Sequence, residues 1–436
     1  MTNLKENIRW QNWAGTCESR PANIFFPESV EEITELVCKA RSSSTSIRVI
    51  GAGHSFTPLA HTDEWLISLD RLCGIISVDS ERLTATVWGG TRLKQISEVL
   101  GKMGFAQENL GDINVQSIAG AISTGTHGTG LTFGNISTQV TELTLVTASG
   151  QVVNMTEQSH PALFQGALLS LGLLGIIVKA VIRIIPSPLY MFSSQKVNYG
   201  RLIDSLDSLI KDNRHFEFFL FPYSDTVQIK TMNITDGKAQ SLRFHRAQNL
   251  VTENYLFYAL SETCRLLPAA SPFFSRLSAK GVGKSSVMAE SHRLFATPRK
   301  VKFTEMEYAI PLETIKPALS DIRRKIMLER YRVHFPIECR MVKADQIWLS
   351  PSYERDSAYI AFHMYKGMPY EDYFRDMEEI MDAYGGRPHW GKLHTKKLDK
   401  LSSLYPKLPA FLKARLELDP EGMFANPYLR DMFSLV

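Results

Sequence analysis

A short apolar run that ends in glycine, "IRVIGAGHSF" over residues 47–56, limits the fold more than any other feature of this chain. "IRVIG" reads as a strand closing at Gly51, and G-x-G after a strand opens many dinucleotide-binding sheets. The doubly wound version needs a third glycine in G-x-G-x-x-G and then a helix, but that position is Phe56 and Pro58 follows closely. That fold is excluded on both counts. Upstream, "ESVEEITELVCKAR" sets Val30, Ile33, Leu36, Val37 and Ala40 on one helical stripe. Downstream, "EWLISLDRL" and "LTATVWGG" read as strands and "TRLKQISEVLGKMG" as a helix, an order that suits an α+β nucleotide-binding unit.

A second glycine-rich segment, "NLGDINVQSIAGAISTGTHGTG", spans residues 109–130. Such a run leaves little for a core but offers backbone N–H groups and hydroxyls, the natural donors for phosphate oxygens. Two donor-rich loops point to one pyrophosphate. The hairpin "TELTLVTASGQVVNM" follows, turning at Ser149 and Gly150.

Charge and cysteine usage narrow the partners. The net charge of +4 comes from 49 basic and 45 acidic residues, without a long run of either sign, so a small molecule fits better than nucleic acid. The five cysteines lie far apart with no C-x-x-C pair, which predicts reduced thiols and a cytoplasmic setting; no residue is assigned to a metal. The start of the chain, "MTNLKENIRWQNWAG", lacks the apolar core of a secretory leader. In "LLSLGLLGIIVKAVIRII", Lys179, Val181 and Arg183 alternate with Val178, Ala180, Ile182 and Ile184, which predicts a strand and no membrane span. Oligomeric state is not readable.

Pro186 and Pro188 interrupt the pattern and mark a boundary. Beyond it, aromatic-rich strands such as "HFEFFLFPYS", "FTEMEYAIP" and "SAYIAFHMY" alternate with helical stretches, predicting helices on an antiparallel sheet. "GVGKSS" at residues 281–286 imitates a P-loop, but position 278 is Ser278 and no strand precedes it.

Four segments in order, "GAGHSF", "QSIAGAISTGTHGTG", "IECRMVKADQIWLSPSY" and "RPHWGKLHT", resemble the aldonolactone and alditol oxidases of the vanillyl-alcohol-oxidase flavoprotein family. The resemblance runs from near residue 10 to the C-terminus. It implies a two-domain α+β fold: an FAD-binding domain over 1–186, a substrate-binding cap over 187–399, and a segment over 400–436 that returns to the FAD domain. It implies FAD bonded through His54 to the flavin 8α-methyl carbon, for which a neutral imidazole is a suitable nucleophile. Ile50, Gly51, Ala52, Gly53, His54, Ser55 and Phe56 would cradle the cofactor on one side. Ser117, Gly120, Ser123, Gly125, Thr126, His127 and Gly128 would lie along the other, with Ile177 at the adenine end.

The resemblance also places Glu338, Arg340 and Lys392 around the substrate. Glu338 and Arg340 alternate by two, so one strand presents both on one face. Oxidation of a carbinol sends hydride from its carbon to flavin N5 and a proton from its hydroxyl, and two cations would stabilise the negative charge the oxygen carries as that proton leaves. Glu338 would accept from sugar hydroxyls and hold Arg340. His363 has two readings, facing the substrate or structural. His389 either packs near the flavin or orients the turn carrying Lys392. At Asp112 relatives differ, some carrying a hydroxyl residue, which leaves the sugar open. Gly111 would lie at the flavin edge that reacts with O2, favouring an oxidase that releases H2O2. The alternatives are a dehydrogenase with another acceptor and an NADPH-using reductase of the same superfamily.

Overall fold

In the computed structural model, residues 3–6, 8–242, 250–296 and 301–435 are described; Met1, Thr2 and Asn7 of the N-terminal stretch lie outside them. Among the described residues, three larger sheets carry the architecture. The first has the strand order Asn3–Glu6, Asn23–Phe26, Trp65–Ser68, Ile47–Ile50, with its last three strands parallel. The helix Val30–Ser42 crosses between two of them, burying Ile33, Leu36, Val37 and Ala40 as its stripe requires. Ser29 caps it, and Glu31 and Glu32 sit in its first turn.

The second sheet is antiparallel, in the order Val152–Thr156, Val140–Val146, Ile176–Arg183, Thr84–Trp88, Ile75–Asp79. The alternation predicted for residues 178–184 holds: Val178, Ala180 and Ile182 are buried, while Lys179, Val181 and Arg183 are less so. Residues 109–130 depart from expectation. They are not a coreless loop, because Ile118–Thr124 is a short helix whose Ile118, Ala119, Ala121 and Ile122 enter the core. Small size, and not only donor density, selects the composition here.

The third sheet has eight antiparallel strands: Ser285–Glu290, Leu189–Asn198, Thr226–Ile234, His215–Leu220, Ile337–Val342, Ser357–Tyr365, Phe303–Pro311, Arg387–Pro388. Helices Tyr199–Asp212, Ile315–Glu329 and Glu371–Ala383 cover one face, burying Leu202, Leu206, Leu319, Ile322, Met377 and Met381 against it. The other face holds the charged residues considered below. "GVGKSS" joins helix Ser271–Gly281 to strand Ser285–Glu290, the reverse of the strand-to-helix order a P-loop needs.

The C-terminal helices Leu398–Leu404, Leu408–Leu418 and Pro427–Phe433 pack Leu401, Tyr405, Phe411 and Phe433 into the core that Ile118 and Ile177 share. A buried guanidinium fixes this return. Arg48 donates to the carbonyls of Leu59 at 2.8 Å, Leu171 at 2.9 Å and Phe424. Burial lowers its pKa to about 10. Arg48→Met strips the Leu171 and Phe424 carbonyls of their donor, each costing about 1–3 kcal/mol, and leaves the Leu59 carbonyl only the longer bond from Asn426 at 3.4 Å. The variant is expected to lose about 3 kcal/mol or more by denaturant unfolding; a loss under about 1 kcal/mol would contradict this role.

Candidate active site

Two cavities lie side by side and share His54, Ser55, Gln116 and Thr124 in their walls. The first, of about 1000 Å³, is lined by Ile50, Gly51, Ala52, Gly53, His54 and Ser55 from one segment and Ser117, Gly120 and Ser123 from the other. Ile177 and Phe424 complete it. The segments touch closely: a Cβ on Gly51 would stand 2.2 Å from Ser117 Oγ. Any larger residue would push aside the Ser117 hydroxyl, which accepts from Gly120 N–H at 3.3 Å. No Asp or Glu lines this cavity, whereas Arg48 does, and among the described residues no carboxylate pairs with it. An acid-free cradle of small residues with an uncompensated cation in its wall suits an anionic diphosphate.

The second cavity, of about 790 Å³, brings together Phe56, Gly111, Asp112, Thr126, His127, Glu338, Arg340, His363, His389 and Lys392. Its floor follows from strand alternation. On Ile337–Val342, Ile337, Cys339 and Met341 face the helices while Glu338 and Arg340 face the cavity. On Phe303–Pro311, Met306, Tyr308 and Ile310 face the helices while Glu305 and Glu307 face the cavity. Cross-strand register sets Arg340 opposite Glu217 and Glu305 opposite His363.

Every cation here is held by carboxylates. Arg340 pairs with Glu338, with Glu217 at 3.1 Å and with Asp112 at 3.4 Å. Burial opposes its charge, but Glu338, Asp112 and Glu217 outweigh burial and raise its pKa well above the ordinary value. Lys392 pairs with Glu305. Burial would discharge it too, yet Glu305 and Glu307 raise its pKa. Glu305 also meets His363 Nε2 at 3.5 Å, and despite its burial the Lys392 charge brings its pKa down to about 2.

His54 differs from these. Among the described residues its ring makes no hydrogen bond; it stacks on Trp13 with centroids 5.3 Å apart. Burial, then the charges of Lys392 and Arg92, lowers its pKa to about 4, leaving a neutral imidazole at the junction of the two cavities. The turn bearing Lys392 is tied to the His54 loop, since Phe56 N–H donates to the Gly391 carbonyl at 2.7 Å. His389 serves that turn: its Nδ1 accepts from Gly391 N–H at 3.1 Å, and its carbonyl accepts from Lys392 N–H at 2.9 Å.

The pattern of the D-arabinono-1,4-lactone oxidase family matches residues 180–432, and that of an FAD-binding domain matches residues 21–156. The chain belongs to the aldonolactone oxidase family. It is 38% identical to L-gulono-1,4-lactone dehydrogenase of Mycobacterium tuberculosis, over 97% of this chain and 98% of that one. It is 34% identical to L-gulonolactone oxidase of Mus musculus, over 98% and 99%. Among solved structures, cholesterol oxidase from B. sterolicum superposes with a TM-score of 0.85 at 18% identity, covering 99% of this chain and 97% of that one. The fold is thus the α+β, vanillyl-alcohol-oxidase type, and the protein is an FAD-dependent oxidoreductase acting on CH–OH groups.

Within this family member, two expected cofactor residues line neither cavity. Gly125 ends the helix Ile118–Thr124 with φ of 72°, a left-handed cap that glycine adopts without strain. Gly128 lies against Asn109 Oδ1 and the Leu110 carbonyl, each 2.4 Å from where a Cβ would stand. Both are glycine for backbone reasons. Sequence reading missed Glu217, Glu305 and Glu307. Their signal was present, as carboxylates at alternate positions in otherwise apolar strands, "HFEFFL" and "FTEMEYAIP". Donor atoms of His127, Glu307 and His389 lie within 4.8 Å of one another. However, His127 already meets Glu307 at 3.1 Å and the Gly128 carbonyl at 2.9 Å, and Lys392 adds positive charge beside Glu307.

Burial sets a pH dependence. It lowers the pKa of His215, His334 and His394 to about 4 each and of His389 to about 3, from 6.5 when unfolded. Between those values the unfolded chain binds protons that the folded chain refuses, so stability falls as pH drops below 6.5. Denaturant midpoints should fall steeply from pH 6.5 toward 4, with a slope approaching about 1.4 kcal/mol per pH unit for each such histidine. A flat profile across that window would contradict it.

Proposed function

We propose that this enzyme oxidises a carbinol carbon of a sugar lactone or polyol, with O2 as the final acceptor and H2O2 as a product. The observation that carries this reading is the division of charge between two adjoining cavities: one free of acids, the other with Asp112, Glu305, Glu307 and Glu338 around Arg340 and Lys392. The first suits the cofactor diphosphate. In the second, carboxylates accept hydrogen bonds from a neutral polyhydroxylated substrate. We assign the cofactor to residues 1–186 with the returning 400–436, and the substrate mainly to 187–399. The five cysteines are free thiols, which suits the cytoplasm.

FAD, when bound, would supply a two-electron acceptor for the hydride removed from the carbinol carbon. Arg340 and Lys392, both close enough to sense Glu307 and Asp112, stabilise the negative charge that the carbinol oxygen gains as its hydroxyl proton passes to the neutral imidazole of His389, and with that proton gone the oxygen drives hydride from its carbon. Their carboxylate partners keep them ionised and fix their heads in advance, so no reorganisation is needed at the moment of reaction. Glu338 positions Arg340, and Glu305 positions Lys392 and His363. O2 as acceptor is supported by the relative named an oxidase; Gly111 lines the second cavity beside Asp112, but its Cβ would stand 3.1 Å from the His127 carbonyl, so the space there is not open. A non-oxygen acceptor is the second reading, favoured by the relative named a dehydrogenase.

Aldonolactones and polyols screened under nitrogen should bleach the flavin, and admitting air should restore the colour with release of peroxide. Bleaching without reoxidation by air would favour the dehydrogenase. Lys392→Met should slow anaerobic bleaching by roughly a hundred- to a thousand-fold, the usual loss for one preorganised donor of about 3–4 kcal/mol, at normal FAD content. A change within about threefold, under roughly 1 kcal/mol, would remove Lys392 from the chemistry.

We further propose that His54 is bonded to the flavin. Its neutral ring, without a hydrogen-bond partner among the described residues, keeps a nitrogen lone pair available where the two cavities meet. Acid-precipitated protein should stay yellow, while His54→Ala should release its flavin to the supernatant. Release from the unaltered protein would refute the bond and leave FAD binding intact.

A further inference from the structure

A hairpin turn at residues 12–17, between the short strands Trp10–Gln11 and Glu18–Ser19, covers the loop that carries His54. Asn12 is buried and stiffens that turn from within. Its Oδ1 accepts from Thr16 N–H at 2.9 Å and Cys17 N–H at 3.1 Å, and its Nδ2 donates to Thr16 Oγ1 at 2.8 Å. The stiffened turn then grips the loop. Trp13 N–H donates to the Gly53 carbonyl at 2.8 Å, Asn12 Nδ2 to the Ser55 carbonyl at 2.9 Å and Thr16 Oγ1 to the Phe56 carbonyl at 2.8 Å, which brackets His54 on both sides. The Trp13 ring completes the contact. It stacks on the His54 imidazole with 22° between the planes, and is itself held edge to face against Phe303 at 5.4 Å and Phe56 at 6.3 Å.

We infer that Asn12, Trp13 and Thr16 are positioning residues for flavin attachment: the turn fixes the backbone around His54, and the Trp13 face sets the plane of its imidazole. This rests on the reading that His54 is bonded to the flavin. In that step a ring nitrogen of His54 forms a bond to the 8α carbon. One methyl C–H and the imidazole N–H break, both hydrogens leave as protons, the electron pair released passes to the flavin ring, and O2 takes that pair with two protons to give H2O2. The imidazole must be aimed for this, and among the described residues no hydrogen bond aims it, so packing does. Holding a nucleophile at its target makes the step intramolecular, and an error of about 1 Å can cost roughly a hundredfold in rate. Trp13 also reaches the large sheet through Phe303, so the imidazole is steadied from both halves of the molecule.

The test uses the full chain produced under riboflavin limitation, to which FAD is added in air. Acid precipitation at intervals separates attached flavin, in the pellet, from flavin that is bound but unattached. Trp13→Leu should attach FAD about tenfold or more slowly than the parent while binding as much of it non-covalently, and Trp13→Phe, which keeps a ring, should recover most of the rate. Asn12→Asp, equal in shape but offering no donor to the Ser55 carbonyl, should slow attachment by about fivefold or more. The inference is overturned if Trp13→Leu attaches FAD within about twofold of the parent rate, if Trp13→Phe is as slow as Trp13→Leu, or if slow attachment only mirrors lost FAD binding. Should Trp13→Leu bind no FAD, Asn12→Asp decides by the same comparison. A colourless pellet from the parent refutes the His54 bond and this inference with it, whereas a yellow parent pellet matched in rate by both variants refutes this inference alone.

Discussion

The contact between Gly51 and Ser117 is the constraint on which the site depends. It brings the segment after strand Ile47–Ile50 against the start of helix Ile118–Thr124, where a methyl group on Gly51 would displace the Ser117 hydroxyl that caps the helix. The residues that continue from that contact, His54 and Ser55 on one side and Gln116 and Thr124 on the other, form the shared wall of the two cavities. A separation larger by one side chain would open that wall. Arg48 holds the arrangement from behind, tying Leu59, Leu171 and Phe424 to one buried guanidinium.

The substrate side is built on a different principle. An antiparallel sheet with helices on one face only leaves its other face to be satisfied by something else. Here the strands Phe303–Pro311, Ile337–Val342 and Ser357–Tyr365 turn apolar residues to the helices and polar or charged ones to the cavity. Buried charge is costly unless paired, and the pairs Arg340 with Glu338 and Lys392 with Glu305 meet that cost locally. The pairing also keeps the cations ionised in a site shielded from water. A surface ion pair of the same residues would do neither.

The two halves meet at the turn Arg387–Lys392. It contributes the edge strand Arg387–Pro388 to the large sheet, hydrogen bonds to the His54 loop through Gly391, and carries Lys392 into the second cavity. A neutral imidazole and a charged ammonium thereby share one small volume, in which Lys392 helps keep His54 deprotonated.

Much of this was legible from sequence. The missing third glycine at Phe56 ruled out the doubly wound fold, the stripe of Ile33, Leu36, Val37 and Ala40 defined a helix, and alternation placed Glu338 and Arg340 on one face, because these are local rules with fixed periods. The ordered motifs identified the cofactor class. Sequence did not reveal Glu217, Glu305 and Glu307 as partners of Arg340 and Lys392, since strand pairing joins residues far apart in the chain. Nor could it tell apart the purposes of the glycines in residues 111–128, of which Gly111 lines a cavity while Gly125 and Gly128 serve the backbone. A glycine's purpose is set by what lies where its side chain would be, and only the tertiary structure brings that neighbour into place.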